Sequence, residues 1–128
     1  MADKILPKPT DAELEILQVL WDVGPASVRD VNDKLNTRRE IGYTTTLKVM
    51  QIMLEKGLVE RNTDARSHIY EAASPKEETQ RNLLGTFMEN VFSGSAASLI
   101  MQVLGNHNAS KAELDEIKAL IERIEKNS

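Results

Sequence analysis

Residues 43–71, YTTTLKVMQIMLEKGLVERNTDARSHIYE, change their hydrophobic period halfway along, and that change decides the fold. On a helical wheel Thr46, Leu47, Met50, Met53 and Leu54 share one arc, the expected core side of a helix that begins near Tyr43-Thr44. Thr45 and Lys48 fall opposite, with Thr44 and Glu55 beside them, and Gly57 is a helix-terminating glycine. Beyond it the period drops to two: Leu58–Asn62, a polar turn Thr63–Arg66, then Ser67–Glu71. That pattern predicts a β-hairpin.

Upstream, Thr10-Asp11-Ala12-Glu13 reads as a capping box, in which hydroxyl and carboxylate satisfy each other's orphan backbone N–H groups. Leu14, Leu17, Leu20 and Trp21 follow at helical spacing until Gly24-Pro25 stops the helix. Ser27 with Asp30 starts a shorter helix carrying Val28, Val31 and Leu35, and Asn36–Gly42 is a polar, basic linker. Trp21 and Tyr43 are expected to be core aromatics.

Downstream, Ser74-Pro75-Lys76-Glu77 opens a fourth helix with an N-cap, a proline at the first position and an acidic first turn. It carries Leu83, Leu84, Phe87, Met88 and Val91 to Ser93-Gly94. A fifth helix from about Ser95 to Leu104 places Ala96, Leu99, Ile100, Val103 and Leu104 on one side. After a loop from Gly105 to Ala109, a second capping box at Ser110–Glu113 starts a last helix with Leu114, Ile117, Ile121 and Ile124 at near-heptad spacing. The expected fold is mainly α: a winged helix-turn-helix of three helices and a two-stranded hairpin over residues 1–73, then a three-helix tail over 74–128. Three thin helices have too little core of their own, so the tail is expected to pair with a second copy through Leu84, Phe87, Met88, Val91, Leu99, Ile100, Val103, Ile117, Ile121 and Ile124.

Composition narrows the class. The 128 residues are 41% hydrophobic and 28% charged, the balance of a folded chain. No apolar run approaches a membrane span, and the opening MADKILPKPT lacks the apolar stretch of a signal peptide, so a cytoplasmic location is expected. With no cysteine there is no disulfide or thiolate chemistry; His68 and His107 are far apart and have no nearby ligand cluster, so no metal or other cofactor is expected. The motifs of hydrolases and nucleotide-binding enzymes are absent, and an enzyme is not expected. Net charge is −4, yet Lys34, Arg38, Arg39 and Lys48 face only Glu40 between positions 34 and 54. A phosphate backbone senses charge within a Debye length, so this local patch permits nucleic-acid binding despite the acidic balance.

A winged helix places its third helix in the major groove and its hairpin along the backbone. Threonine hydroxyls at the start of that helix can bond phosphates or base edges, and their methyls can touch thymine. Lys48 can reach a phosphate or a guanine edge, and Arg61 and Arg66, flanking the hairpin turn, can grip a phosphate or probe the minor groove. Each residue also has a plainer role: a threonine-rich helix start caps, and an arginine beside a turn is solvated. The competing class is a winged-helix protein-interaction module that binds no DNA, which the acidic balance keeps open.

Four segments in order, TDAELEILQVLW (10–21), GPASVRDV (24–31), YTTTLKVMQIMLEKGLV (43–59) and RSHIY (66–70), resemble the penicillinase-repressor family of the BlaI/MecI type. The resemblance spans residues 8–125. It implies a homodimeric transcriptional repressor on a palindromic operator, controlling antibiotic-resistance or stress genes and released by a regulatory protease that cuts the C-terminal part. By position, Thr44, Thr45, Thr46 and Lys48 fall in the recognition helix, and Arg66 and Ser67 in the wing. Three departures stand out. The cysteine cluster of the family's copper-responsive branch is missing; the Asn-Phe pair cut in staphylococcal members is replaced by Gln102-Val103; and Ile52 stands where the family often has arginine.

Overall fold

The computed structural model describes residues 8–64, 66, 68–106 and 108–128. Along them run α1 (Asp11–Val23), α2 (Val28–Leu35), α3 (Tyr43–Lys56), β1 (Val59–Asn62), β2 (Ile69–Ala72), α4 (Lys76–Phe92), α5 (Ala96–Asn106) and α6 (Lys111–Lys126). This is the winged helix-turn-helix with a helical tail that the sequence predicts.

Local chemistry explains most boundaries. Glu13 N donates to Thr10 Oγ1 at 3.2 Å while Thr10 N donates to Glu13 Oε1 at 2.8 Å, completing the first capping box. Ser27 and Asp30 form the same reciprocal pair at the start of α2. At the end of α3, Gly57 takes φ 81°, a left-handed conformation that lets Leu58 N reach back to Met53 O at 2.9 Å. α6 starts with Glu113 N donating to Ser110 Oγ at 3.1 Å.

β1 and β2 pair antiparallel, with Val59 opposite Ala72 and Asn62 opposite Ile69. The hairpin has a third partner that the sequence did not show. Ala26 N donates to Tyr70 O at 2.9 Å and Tyr70 N to Ala26 O at 2.8 Å, so the stub before α2 acts as a one-residue strand. This clamps the wing to the helices and helps bury Tyr70.

Ile16, Leu17 and Leu20 of α1, Val31 and Leu35 of α2, Met50 and Met53 of α3, and Val59 and Tyr70 of the wing form one apolar core. Leu14, Trp21, Leu47 and Leu54 pack half-buried against it. Trp21 also donates its indole N–H to Ser74 O at 3.0 Å, fixing the chain as it leaves the wing. Tyr43 corrects the expectation of a core aromatic: it is 43% exposed, with the Arg29 guanidinium 5.4 Å over its ring.

Packing divides the chain into two units, Met1–Leu83 and Leu84–Ser128. In the second unit α5 runs on to Asn106 and absorbs Gly105, which the sequence placed in a loop. α4, α5 and α6 contain no buried residue among those described, and the rings of Phe87 and Phe92 meet at 5.7 Å. No described helix is long and apolar enough to cross a membrane.

Candidate nucleic-acid interface

α3 is set by the turn before it, and two asparagines build that turn. Asn32 Nδ2 donates to Ile41 O at 3.1 Å and to Thr46 Oγ1 at 2.9 Å. Asn36 Nδ2 donates to Asn32 O and Ile41 O, while Ile41 N donates back to Asn36 Oδ1. The end of α2, the linker and the first turn of α3 are thereby joined by side-chain amides. Asparagine is a poor helix former, and two of them four residues apart at a helix end are the signal that could have revealed this.

Once seated, α3 turns Thr44, Thr45, Lys48, Gln51, Ile52 and Glu55 outward. Thr46 does not join them. It is fully buried, and its hydroxyl accepts from Asn32 and donates to Gly42 O at 3.4 Å. Its expected place on the DNA side is therefore corrected: Thr46 lies in the third helix but faces inward and holds the turn. Gln51, which the sequence reading passed over, is the seventh residue after Thr44 and lies on the same polar arc. Gly42 has no side chain to cap α3, so the first N–H groups of the helix remain available as donors to an anion.

In the wing, Arg61 is exposed on β1 opposite Tyr70, and Arg66 is exposed in the turn. Ser67 lies outside the described residues, as does His107. Arg66 shares a groove with Arg29, Tyr43 and His68, whereas Arg61 does not line it.

Among the described residues, two ion pairs brace the module. Lys56 Nζ donates to Glu13 Oε1 at 2.6 Å, linking the end of α3 to the start of α1. Burial works against ionisation of Glu13, but the hydrogen bonds from Lys56 and the Thr10 amide outweigh it and hold its pKa below the ordinary value. Arg39 grips Glu15 with contacts of 2.6 and 3.3 Å; that bond, aided by the charges of Arg39 and Arg38, lowers the Glu15 pKa despite some desolvation. Arg39 is thus partly neutralised, and of the basic patch expected from the sequence Lys34, Arg38 and Lys48 are exposed and make no ion pair among the described residues.

Comparison with known proteins decides the lineage. The sequence profile of the penicillinase repressor family matches residues 9–123. The chain belongs to the penicillinase repressor family. This family member is 29% identical over 105 residues to the transcriptional regulator BlaI of Mycobacterium tuberculosis, covering 80% of this chain and 76% of the relative. It is 21% identical over 119 residues to the penicillinase repressor of Bacillus licheniformis, covering 93% of each. Its fold matches the DNA-binding domain of the repressor BlaI with a TM-score of 0.51 at 21% identity, over 59% of this chain and 93% of that one. A TM-score of 0.50 at 20% identity relates it to monomeric Bacillus licheniformis BlaI in complex with the blaP half-operator, over 57% of this chain and 89% of that one.

Two departures of this penicillinase-repressor family member now have a place in the fold. Ile52 is 44% exposed on the outward face of α3, an apolar side chain in a polar strip. Gln102 and Val103 both lie within α5.

Proposed function

We propose that this protein is a homodimeric repressor that binds a palindromic operator through α3 and the wing. The observation that carries the proposal is the outward strip of α3: Thr44, Thr45, Lys48 and Gln51 offer hydroxyl, amide and cationic donors on one face, beside a wing with two exposed arginines. Such groups bond base edges and phosphates in the major groove.

The tail supports the dimer. Phe87 is 48% exposed, Val91 59% and Ile124 58%, while Met88, Leu99 and Ile117 are half-buried. Each large apolar side chain gains roughly 1.5–3 kcal/mol on full burial, so a second copy covering the expected set (Leu84, Phe87, Met88, Val91, Leu99, Ile100, Val103, Ile117, Ile121 and Ile124) is the natural occupant of these surfaces. Control of antibiotic-resistance or stress genes is the assignment that the family suggests. Release by a regulatory protease belongs to the same proposal, with one requirement: a cut at Gln102-Val103 needs α5 to unwind locally, because a protease takes extended backbone.

Fluorescence anisotropy of the full-length protein with a duplex from its own promoter tests the proposal. A two-fold symmetric dimer reads half-sites about one helical turn apart or a multiple of it, and inserting about 5 bp between them turns one half-site to the wrong face. Affinity should then fall toward that of a single half-site. Affinity indifferent to the insertion would rule out the symmetric dimer.

A further inference from the structure

Where the starts of α2 and α3 meet the wing, a groove of about 320 Å³ opens at the surface. Ser27, which caps α2, and Arg29 within α2 line it, with Tyr43 from α3 and Arg66 and His68 from the wing. No described carboxylate lines it, in a chain with 20 acidic residues against 16 basic ones. Other surface grooves differ: one with Lys34 and Arg38 also contains Asp22, and one beside Pro25 contains Asp30 and Asp33. Val28, Leu47 and Tyr70 also line it, and apolar surroundings strengthen charge pairing beside them.

The two arginines arrive from different elements, and one is held in advance. The Arg29 guanidinium lies 5.4 Å from the Tyr43 ring centroid, a cation–π arrangement that restricts an otherwise flexible side chain. A guanidinium ordered in this way loses less freedom when it grips an anion through its planar fork. The groove therefore matches a tetrahedral oxyanion carried on a larger body, because it lies beside the outward face of α3.

We propose that this groove seats one backbone phosphodiester of bound DNA in each subunit, gripped by Arg29 from α2 and Arg66 from the wing, with Tyr43 as the positioning residue for Arg29. The assignment rests on the DNA-binding reading above. It makes α2 a contact element and sets how far α3 enters the groove, since helix and wing then hold the same strand.

The test measures affinity of the full-length protein for operator and for unrelated duplex over a range of salt. Arg29→Met removes the charge and keeps the length of the side chain; the plot of log affinity against log salt should become shallower by about 0.9 per half-site, with operator and unrelated duplex weakened alike. Arg29→Lys should keep the wild-type slope with lower affinity. Tyr43→Leu should lower affinity without changing the slope, and Tyr43→Phe, which keeps the ring, should restore it. A scan with neutral methylphosphonate linkages should find one linkage per half-site whose effect on the wild type is reduced in Arg29→Met, where Arg66 alone still meets that phosphate, and abolished in Arg29→Met, Arg66→Met. A wild-type slope in Arg29→Met would overturn the seat while leaving the repressor reading intact, whereas a wild type that binds no duplex would overturn both. Thermal stabilisation by inorganic phosphate that Arg29→Met abolishes, with duplex binding unchanged, would assign the groove to a free anion and overturn the phosphodiester.

Discussion

Glu13 and Lys56 are joined through a single carboxylate oxygen that does two jobs. Glu13 Oε1 accepts the Thr10 amide at 2.8 Å and the Lys56 ammonium at 2.6 Å, so the first turn of α1 and the last turn of α3 share one acceptor. Glu13 is almost completely buried, while Lys56 keeps partial contact with water. Removing the carboxylate leaves an ammonium and a helix-end amide without their acceptor at once. Glu13→Ala should destabilise the N-terminal unit by about 2–4 kcal/mol. Lys56→Met should cost less, and a double-mutant cycle should show the two sites to be coupled. Urea unfolding followed by circular dichroism measures both.

Acid should weaken the same contact. The folded-state pKa values of Glu13 and Glu15 lie below their ordinary 4.5, so their stabilisation is fully present above about pH 4.5 and is lost as pH falls through the lowered folded values. The melting temperature should therefore drop in that acidic window, and the double variant Glu13→Gln, Glu15→Gln should start lower and vary less with pH there. A variant profile as steep as the wild type's would mean that other carboxylates carry the effect.

Adjacent threonines should behave differently. Thr45 faces outward, so Thr45→Ala should cost about 1–3 kcal/mol of operator binding and relax preference at one base position. Thr46 is buried and bonded to Asn32, so Thr46→Val should lower thermal stability while sequence preference at saturating protein stays unchanged. Binding-site selection on randomised half-sites separates the two.

Ile52 invites a gain of function. Its exposed place on α3 leaves room for a cation, and Ile52→Arg should add a phosphate contact. Affinity should rise at low salt, and the salt slope should steepen by about 0.9 per half-site. Anisotropy titrations at several salt concentrations provide the check.

Charge in the tail should split the proposed dimer. Phe87→Asp combined with Ile121→Asp places carboxylates on surfaces about half exposed in the single chain. Analytical ultracentrifugation should find monomers with an intact winged helix, and operator affinity should fall by about 10²–10⁴ as linkage between the two modules is lost.

The sequence made local decisions legible and long-range ones obscure. Thr10, Ser27 and Ser110 announce their helices because a cap and its partner are three residues apart, and Gly57 announces an end because few other residues accept its backbone angle. Thr46 was legible from two directions that disagreed: the wheel put it in the core, the family resemblance put it with the residues toward DNA, and the fold shows an inward residue on an outward-facing helix. Arg29 above Tyr43, Ala26 beside Tyr70 and Lys56 on Glu13 were not legible, because each joins residues 14 to 44 positions apart whose meeting depends on how whole elements pack. Tyr43 was misplaced for that reason: its ring has a partner, but the partner is a surface cation.

The Ala26–Tyr70 pair also bears on solubility. A lone hairpin presents two rows of unpaired amides and carbonyls, a template on which another strand can grow. Here β2 is hydrogen-bonded at Tyr70 on the flank away from β1, while β1 is four residues long and carries Glu60 and Arg61. Both edges therefore discourage sheet growth. The pairing of two copies proposed for the tail would raise the local concentration of the wings, and the single residue before α2 would then help to keep that gathering from turning into strand-on-strand aggregation.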